Sequence, residues 1–116
     1  MTSRVVHLEL HTANLGAACA FYSRLLGWRA ERVAAADGAY RSPDLGPTLS
    51  AGAVECGTDP ALWLPYVEVD SVADATTRAV ELGATVLLAP CEGPAGWRSM
   101  VTTPAGDEIA FWRTKR

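Results

Sequence analysis

The chain has 116 residues and a net charge of −3, with 49% of residues apolar and 20% charged. This length fits one domain with a sizeable core, and the lack of any basic run argues against nucleic acid or an anionic membrane as partner. No apolar run approaches the roughly 18 residues of a membrane span, and the N-terminus shows no apolar signal segment, so a cytoplasmic protein is expected.

In chain order, Val5–Thr12 alternates, with Val6, Leu8 and Leu10 on one face and Val5, His7, Glu9 and His11 on the other, which predicts a two-faced strand. Asn14 is a good N-cap, and Leu15, Ala18, Tyr22, Leu25 and Leu26 follow as an apolar helical stripe that Gly27 ends as a left-handed C-terminal residue. Strands are predicted over Trp28–Ala35, Gly38–Ser42 and Thr48–Glu55, with a turn at Pro43-Asp44-Leu45-Gly46-Pro47. Gly57-Thr58-Asp59-Pro60 reads as a linker. A strand over Trp63–Val69 then leads to a helix capped by Ser71, with Asp74 three residues on. Val72, Ala75, Ala79 and Leu82 form its stripe, and Gly83 ends it. Thr85–Ala89 reads as a strand, and Trp97–Thr102 with Glu108–Thr114 as a hairpin around Pro104-Ala105-Gly106-Asp107.

The order is therefore strand, helix and three strands, twice over, in one domain with modules of about 1–57 and 58–116. Asn14 and Ser71 are 57 residues apart and Gly27 and Gly83 are 56 apart, about half the chain. A repeat this long is a supersecondary module, and two copies imply a pseudo-twofold fold. Each helix must cover one face of its sheet. The other face carries His7, Glu9 and His11 in the first half and Leu64, Tyr66 and Glu68 in the second, which predicts a concave, partly wet surface.

The strand His7-x-x-x-His11, the run Phe21-Tyr22-x-x-x-Leu25-Leu26-Gly27-Trp28, the stretch Val67-x-Val69-Asp70-Ser71-Val72-x-x-Ala75, the pair Leu82-Gly83 with Ala84, and Thr103-Pro104-Ala105-Gly106-Asp107-x-Ile109 together resemble the vicinal-oxygen-chelate superfamily of glyoxalases, extradiol dioxygenases and bleomycin-resistance proteins. The resemblance covers the whole chain. It implies an α+β fold of two βαβββ modules forming a cupped mixed β-sheet with a cleft, usually in a homodimer. It also implies that metal-using members draw ligands from the first and last strands of each module. His7 occupies the first such position, but Leu64 and Ala110 stand where a histidine and a glutamate are expected, and only Glu55 within Leu49–Glu55 offers a donor. A divalent site needs about three converging protein ligands, so this one reads as dismantled and no metal or other cofactor is expected. A shifted set of His7, Glu9, Glu55 and Glu108 is the alternative.

The candidate ligand-binding residues are His7, Glu9, His11, Tyr66, Glu68, Arg98, Met100 and Trp112. His7 and Glu9, two apart on a strand, are also the candidate catalytic acid–base pair. Tyr66 reads either as a ligand contact or as a core tyrosine, and Arg98 either as a cleft residue or as a surface one. Ile109 and Phe111 belong under a helix, which turns Trp112 to the cleft, while Trp63 and Trp97 fit a cleft rim or a dimer interface. Cys19, Cys56 and Cys91 form no disulfide framework or zinc motif and read as reduced thiols. Gly93-Pro94-Ala95-Gly96 precedes no helix and is no phosphate loop. No serine has an evident triad context.

Three functions fit. The first is a metal-independent protein binding an aromatic or amphipathic metabolite or antibiotic. The second is a lyase, isomerase, epimerase or dioxygenase using a metal or the His7–Glu9 pair. The third is an interaction module with a vestigial cleft.

Overall fold

The computed structural model describes residues 3–32, 40–44, 46, 49–57, 60–93 and 95–115. Its elements are β1 (Val5–Thr12), α1 (Leu15–Leu26), β2 (Ala30–Arg32), β3 (Tyr40–Pro43), β4 (Ser50–Glu55), β5 (Leu62–Glu68), α2 (Val72–Glu81), β6 (Thr85–Glu92), β7 (Gly96–Thr102) and β8 (Glu108–Thr114). The βαβββ order thus occurs twice in an α+β chain. His7–Leu64 forms one compact unit, and Pro65–Arg116 with the start of β1, through Val6, forms the other.

In the first unit the strands run β2-β3-β4-β1. β2 and β4 are antiparallel to β3, and β4 is parallel to β1. Asn14 caps α1, its side chain accepting from the Ala17 amide at 3.0 Å, and the Glu55 carboxylate accepts from the Leu15 amide at 3.0 Å. These contacts satisfy amides that a helix N-terminus leaves without intrahelical partners. Gly27 ends the helix at φ 74° and donates to the Ser23 carbonyl, a conformation that costs glycine little. Leu10, Leu15, Cys19 and Ala53 form the core, with Ala18, Tyr22 and Trp63 packed on it. The helical stripe is shorter than predicted. Leu25 and Leu26 are 63% and 50% exposed, because the last turn of α1 extends past the core, and Cys19 takes a buried place that the stripe had not included.

Trp63 has contacts that the sequence did not indicate. It is partly buried and packs against this core, its indole N–H donating to the Tyr22 hydroxyl at 3.1 Å while Tyr22 stacks on Trp28. The predicted strand over Trp28–Ala35 begins at Ala30 and is described through Arg32, and its remaining residues fall within 33–39, outside the described part of the chain. The next predicted strand is described from Tyr40, and β4 begins at Ser50.

The second unit repeats the plan as β6-β7-β8-β5, with β6 and β8 antiparallel to β7 and β8 parallel to β5. Ser71 caps α2 by accepting from the Asp74 amide at 3.1 Å. Val72 is buried, but Leu82 is 63% exposed, and Thr76 takes the buried place further along the helix. The Thr76 hydroxyl donates to the Val72 carbonyl at 2.6 Å and meets the Ser99 hydroxyl at 2.7 Å. Ser99, opposite Phe111, therefore lies on the helix-covered face. Trp97 shares that parity and is half exposed, so it does not join the residues of the other face. β6 runs three residues beyond the predicted Ala89. No described helix is long and apolar enough to cross a membrane.

The core assignment predicts a contrast. Leu10→Ala should lose about 2–5 kcal/mol of unfolding free energy, whereas Leu25→Ala should stay within about 0.5 kcal/mol of the parent, both measured by urea denaturation.

Candidate functional site

The parallel register of β1 and β4 fixes the chemistry of the first unit. His7 lies opposite Ser50, Glu9 opposite Gly52 and His11 opposite Val54, while Leu8, Leu10 and Thr12 lie opposite Ala51, Ala53 and Glu55. Leu10 and Ala53 belong to the core beneath α1, so alternation sends His7, Glu9 and His11 to the sheet face without the helix. There His7 Nδ1 is 2.7 Å from Ser50 Oγ and His7 Nε2 is 3.4 Å from Glu9 Oε2. His11 Nε2 is 3.0 Å from Glu9 Oε1. One carboxylate thus stands between two imidazoles, and both of its oxygens are engaged.

Glu9 is 9% exposed. Burial, the strongest single influence on its carboxyl, raises the pKa. The hydrogen bonds and charges of His11 and His7 together reverse that effect and hold it at about 2, against an ordinary 4.5. An ionised carboxylate only accepts hydrogen bonds. When His7 is neutral, a proton on Nε2, facing Glu9, lets Nδ1 accept from the Ser50 hydroxyl.

The residues present do not fit the divalent metal of metal-using relatives. Leu64 and Ala110 carry no donor and are fully buried. Glu55, the one carboxylate of β4, shares the parity of Thr12 and caps α1, so it faces away from His7. That overturns the shifted set of His7, Glu9, Glu55 and Glu108. Among the described residues no three His, Cys, Asp or Glu side chains are arranged to hold a metal ion.

In the second unit, the face opposite α2 brings together most of the predicted residues. Tyr66 lies opposite Ala110 and Glu68 opposite Trp112 on β8, and β8 in turn sets Ala110 beside Met100 and Trp112 beside Arg98. Tyr66 and Trp112 meet edge to face with ring centroids 6.2 Å apart, and Arg98 Nη1 reaches the Tyr66 hydroxyl at 3.5 Å. Tyr66 is 3% exposed, which favours the core-tyrosine reading for its ring, with the hydroxyl turned toward arginine. Glu68 is exposed and pairs with Arg4 at 3.6 Å, a solvated contact of little energetic weight. The Trp112 indole donates to the Thr114 hydroxyl at 3.2 Å, and its ring lies across Gly96, where a Cβ would come within 2.8 Å of it and strike the Arg113 carbonyl.

Sequence reasoning missed Ser50. Its neighbour His7 is 43 residues away in the chain, and only the β1–β4 register joins them. His-x-Glu-x-His at one strand parity did signal the remainder of this cluster.

Comparison with known proteins places these features in context. Residues 6–112 match the model of the Glyoxalase-like domain. The chain is 30% identical over 119 aligned positions to the protein named "Putative glyoxylase CFP32" of Mycobacterium bovis and of Mycobacterium tuberculosis. The match covers 94% of this chain but 45% of theirs, so the chain spans about half the length of these curated relatives. Among solved structures, a glyoxalase/bleomycin resistance protein/dioxygenase superfamily member from Vibrio splendidus 12B01 has TM-score 0.66 at 18% identity, covering 96% of this chain and 98% of that one. The hypothetical protein BH1468 from Bacillus halodurans C-125 has TM-score 0.69 at 12% identity, covering 100% and 97%. At these identities the likeness shows the fold.

Two outcomes are expected. Because the Glu9 carboxyl titrates lower in the folded chain than in the unfolded one, its contribution is complete above pH 4.5 and is lost as the pH falls toward 2. A shift of this size corresponds to roughly 3 kcal/mol. Melting curves across that range should therefore show the stability gap between the parent and Glu9→Gln closing with acid. Separately, Gly96→Ala should displace the Trp112 ring, lowering the melting temperature and changing the tryptophan emission spectrum.

Proposed function

The chain belongs to the Glyoxalase-like domain family, and we propose that it is a metal-independent, small-molecule-binding member that takes an aromatic or amphipathic metabolite or antibiotic. The observation that carries this reading is the Trp112 ring beside Arg98 and Met100 on the sheet face opposite α2, with the buried Tyr66 ring packed against it. Aromatic edges and faces, a thioether and a guanidinium suit a flat organic molecule with a polar substituent. Leucine and alanine at two of the positions where metal-using relatives carry ligands support binding without an ion. In this reading the protein acts in the cytoplasm as a homodimer.

A second reading is favoured by the His7–Glu9 contact. A carboxylate-backed imidazole is a general base, and the named relatives are described as glyoxylases. The chain would then be a lyase, isomerase, epimerase or dioxygenase of the same family.

Tryptophan fluorescence titrations against a panel of aromatic metabolites and antibiotics test the first reading. A saturable response weakened at least tenfold in Trp112→Ala is expected. Elemental analysis of protein purified without chelator should find no stoichiometric transition metal. A stoichiometric metal that disappears in His7→Ala would overturn metal independence, and catalytic turnover with loss in His7→Ala would favour the second reading.

A further inference from the structure

We infer that Ser50 is a nucleophile, activated by His7 and Glu9, that takes up acyl or phosphonyl groups from small activated esters. Ser50 is exposed at the start of β4, and its Oγ lies 2.7 Å from His7 Nδ1. The far nitrogen of the same ring faces Glu9 Oε2 at 3.4 Å. Side-chain exposure is 20% for His7 and 12% for Glu9, so a shielded base and its carboxylate stand behind an accessible hydroxyl. These are the relations that nucleophilic catalysis needs. The hydroxyl is within hydrogen-bond reach of a base, and the base is oriented by a third group. The second oxygen of Glu9 accepts from His11 at 3.0 Å, which fixes the carboxylate plane. Glu9 and His11 are positioning residues.

The chemistry balances without any further reactant than water. As Ser50 Oγ bonds to the carbonyl carbon of an ester, its proton passes to His7 Nδ1. The bond from that carbon to the alkoxy oxygen then breaks, and His7 returns the proton to the departing alcohol, leaving acyl-Ser50. Water, deprotonated by His7, attacks the acyl carbon, and the Ser50 oxygen leaves with that proton, releasing the carboxylic acid. With a fluorophosphonate, the Oγ–P bond forms, fluoride departs and the proton leaves with it, so the adduct stays on Ser50. This inference does not rest on the binding reading, because it concerns side chains of the first unit alone and its readout is a covalent bond.

The test is to incubate the full chain with a fluorophosphonate and to locate the adduct by peptide mass spectrometry. One equivalent on Ser50 is expected, forming about a hundredfold or more faster than in urea-unfolded protein, with none at that position in Ser50→Ala. His7→Ala should slow labelling at least tenfold. Glu9→Gln should slow it and displace its pH profile, with Glu9→Asp partly restoring both. The comparison of folded with unfolded parent protein needs no variant, so a misfolded mutant does not leave the question open. Labelling of Ser50 no faster than in the unfolded chain would overturn the inference. So would equal labelling in a folded His7→Ala variant, or an adduct placed only on histidine or cysteine.

Discussion

The parallel pairing of β1 with β4 decides which chemistry reaches which side of the first unit. One register sends Leu10, Ala53 and Glu55 toward α1 and sends His7, Glu9, His11 and Ser50 away from it. A slip by one residue would exchange the two sets, burying imidazoles under the helix and exposing the leucines. The core therefore enforces the polar cluster, and Glu55 strengthens the arrangement by capping the helix from the covered side. Carboxylates on two neighbouring strands, both plausible ligands by composition, thus end in unrelated roles.

The cluster also shows how a buried charge is tolerated. Removing Glu9 from water opposes its ionisation, and two imidazoles outweigh that cost. A carboxylate with both oxygens engaged is oriented as well as charged, and that order passes through His7 to Ser50. Among the described residues, the corresponding face of the second unit holds no carboxylate flanked by imidazoles. Its equivalent surface is aromatic and cationic, built on Tyr66, Trp112 and Arg98. The duplicated scaffold has kept its topology while its two bare faces have diverged in chemistry.

Much of this was legible in the sequence, and the misses have physical causes. β1, α1 and β8 follow from alternation and capping alone, with bounds that agree with the structure. The strand read over Thr85–Ala89 stops one residue before Pro90, whereas β6 runs through it to Glu92. Within its unit β6 pairs only with β7, with register irregularities between Leu88 and Cys91, and an edge strand tolerates a proline there. Helical periodicity named the buried faces but not where they stop, so Leu25, Leu26 and Leu82 were placed inside when the final turns lie outside the core. Of the site residues, His7, Glu9 and His11 could be grouped by parity because they share one strand. Ser50 could not, since its place beside His7 depends on a pairing between strands 43 residues apart. Glu68 was grouped correctly by parity, but its position near the strand end leaves it in solvent with Arg4.

The hydroxyl pair beneath α2 carries a constraint on how this chain can diverge. Thr76 and Ser99 each supply the other's partner in a place closed to solvent. Replacing Thr76 by an apolar residue strands the buried Ser99 hydroxyl without that bond, whereas replacing Ser99 leaves the Thr76 hydroxyl donating to the Val72 carbonyl. The order of inheritance is therefore constrained: a lineage that loses the helix hydroxyl first passes through a less stable intermediate, whereas one that changes the strand first leaves no buried donor without an acceptor.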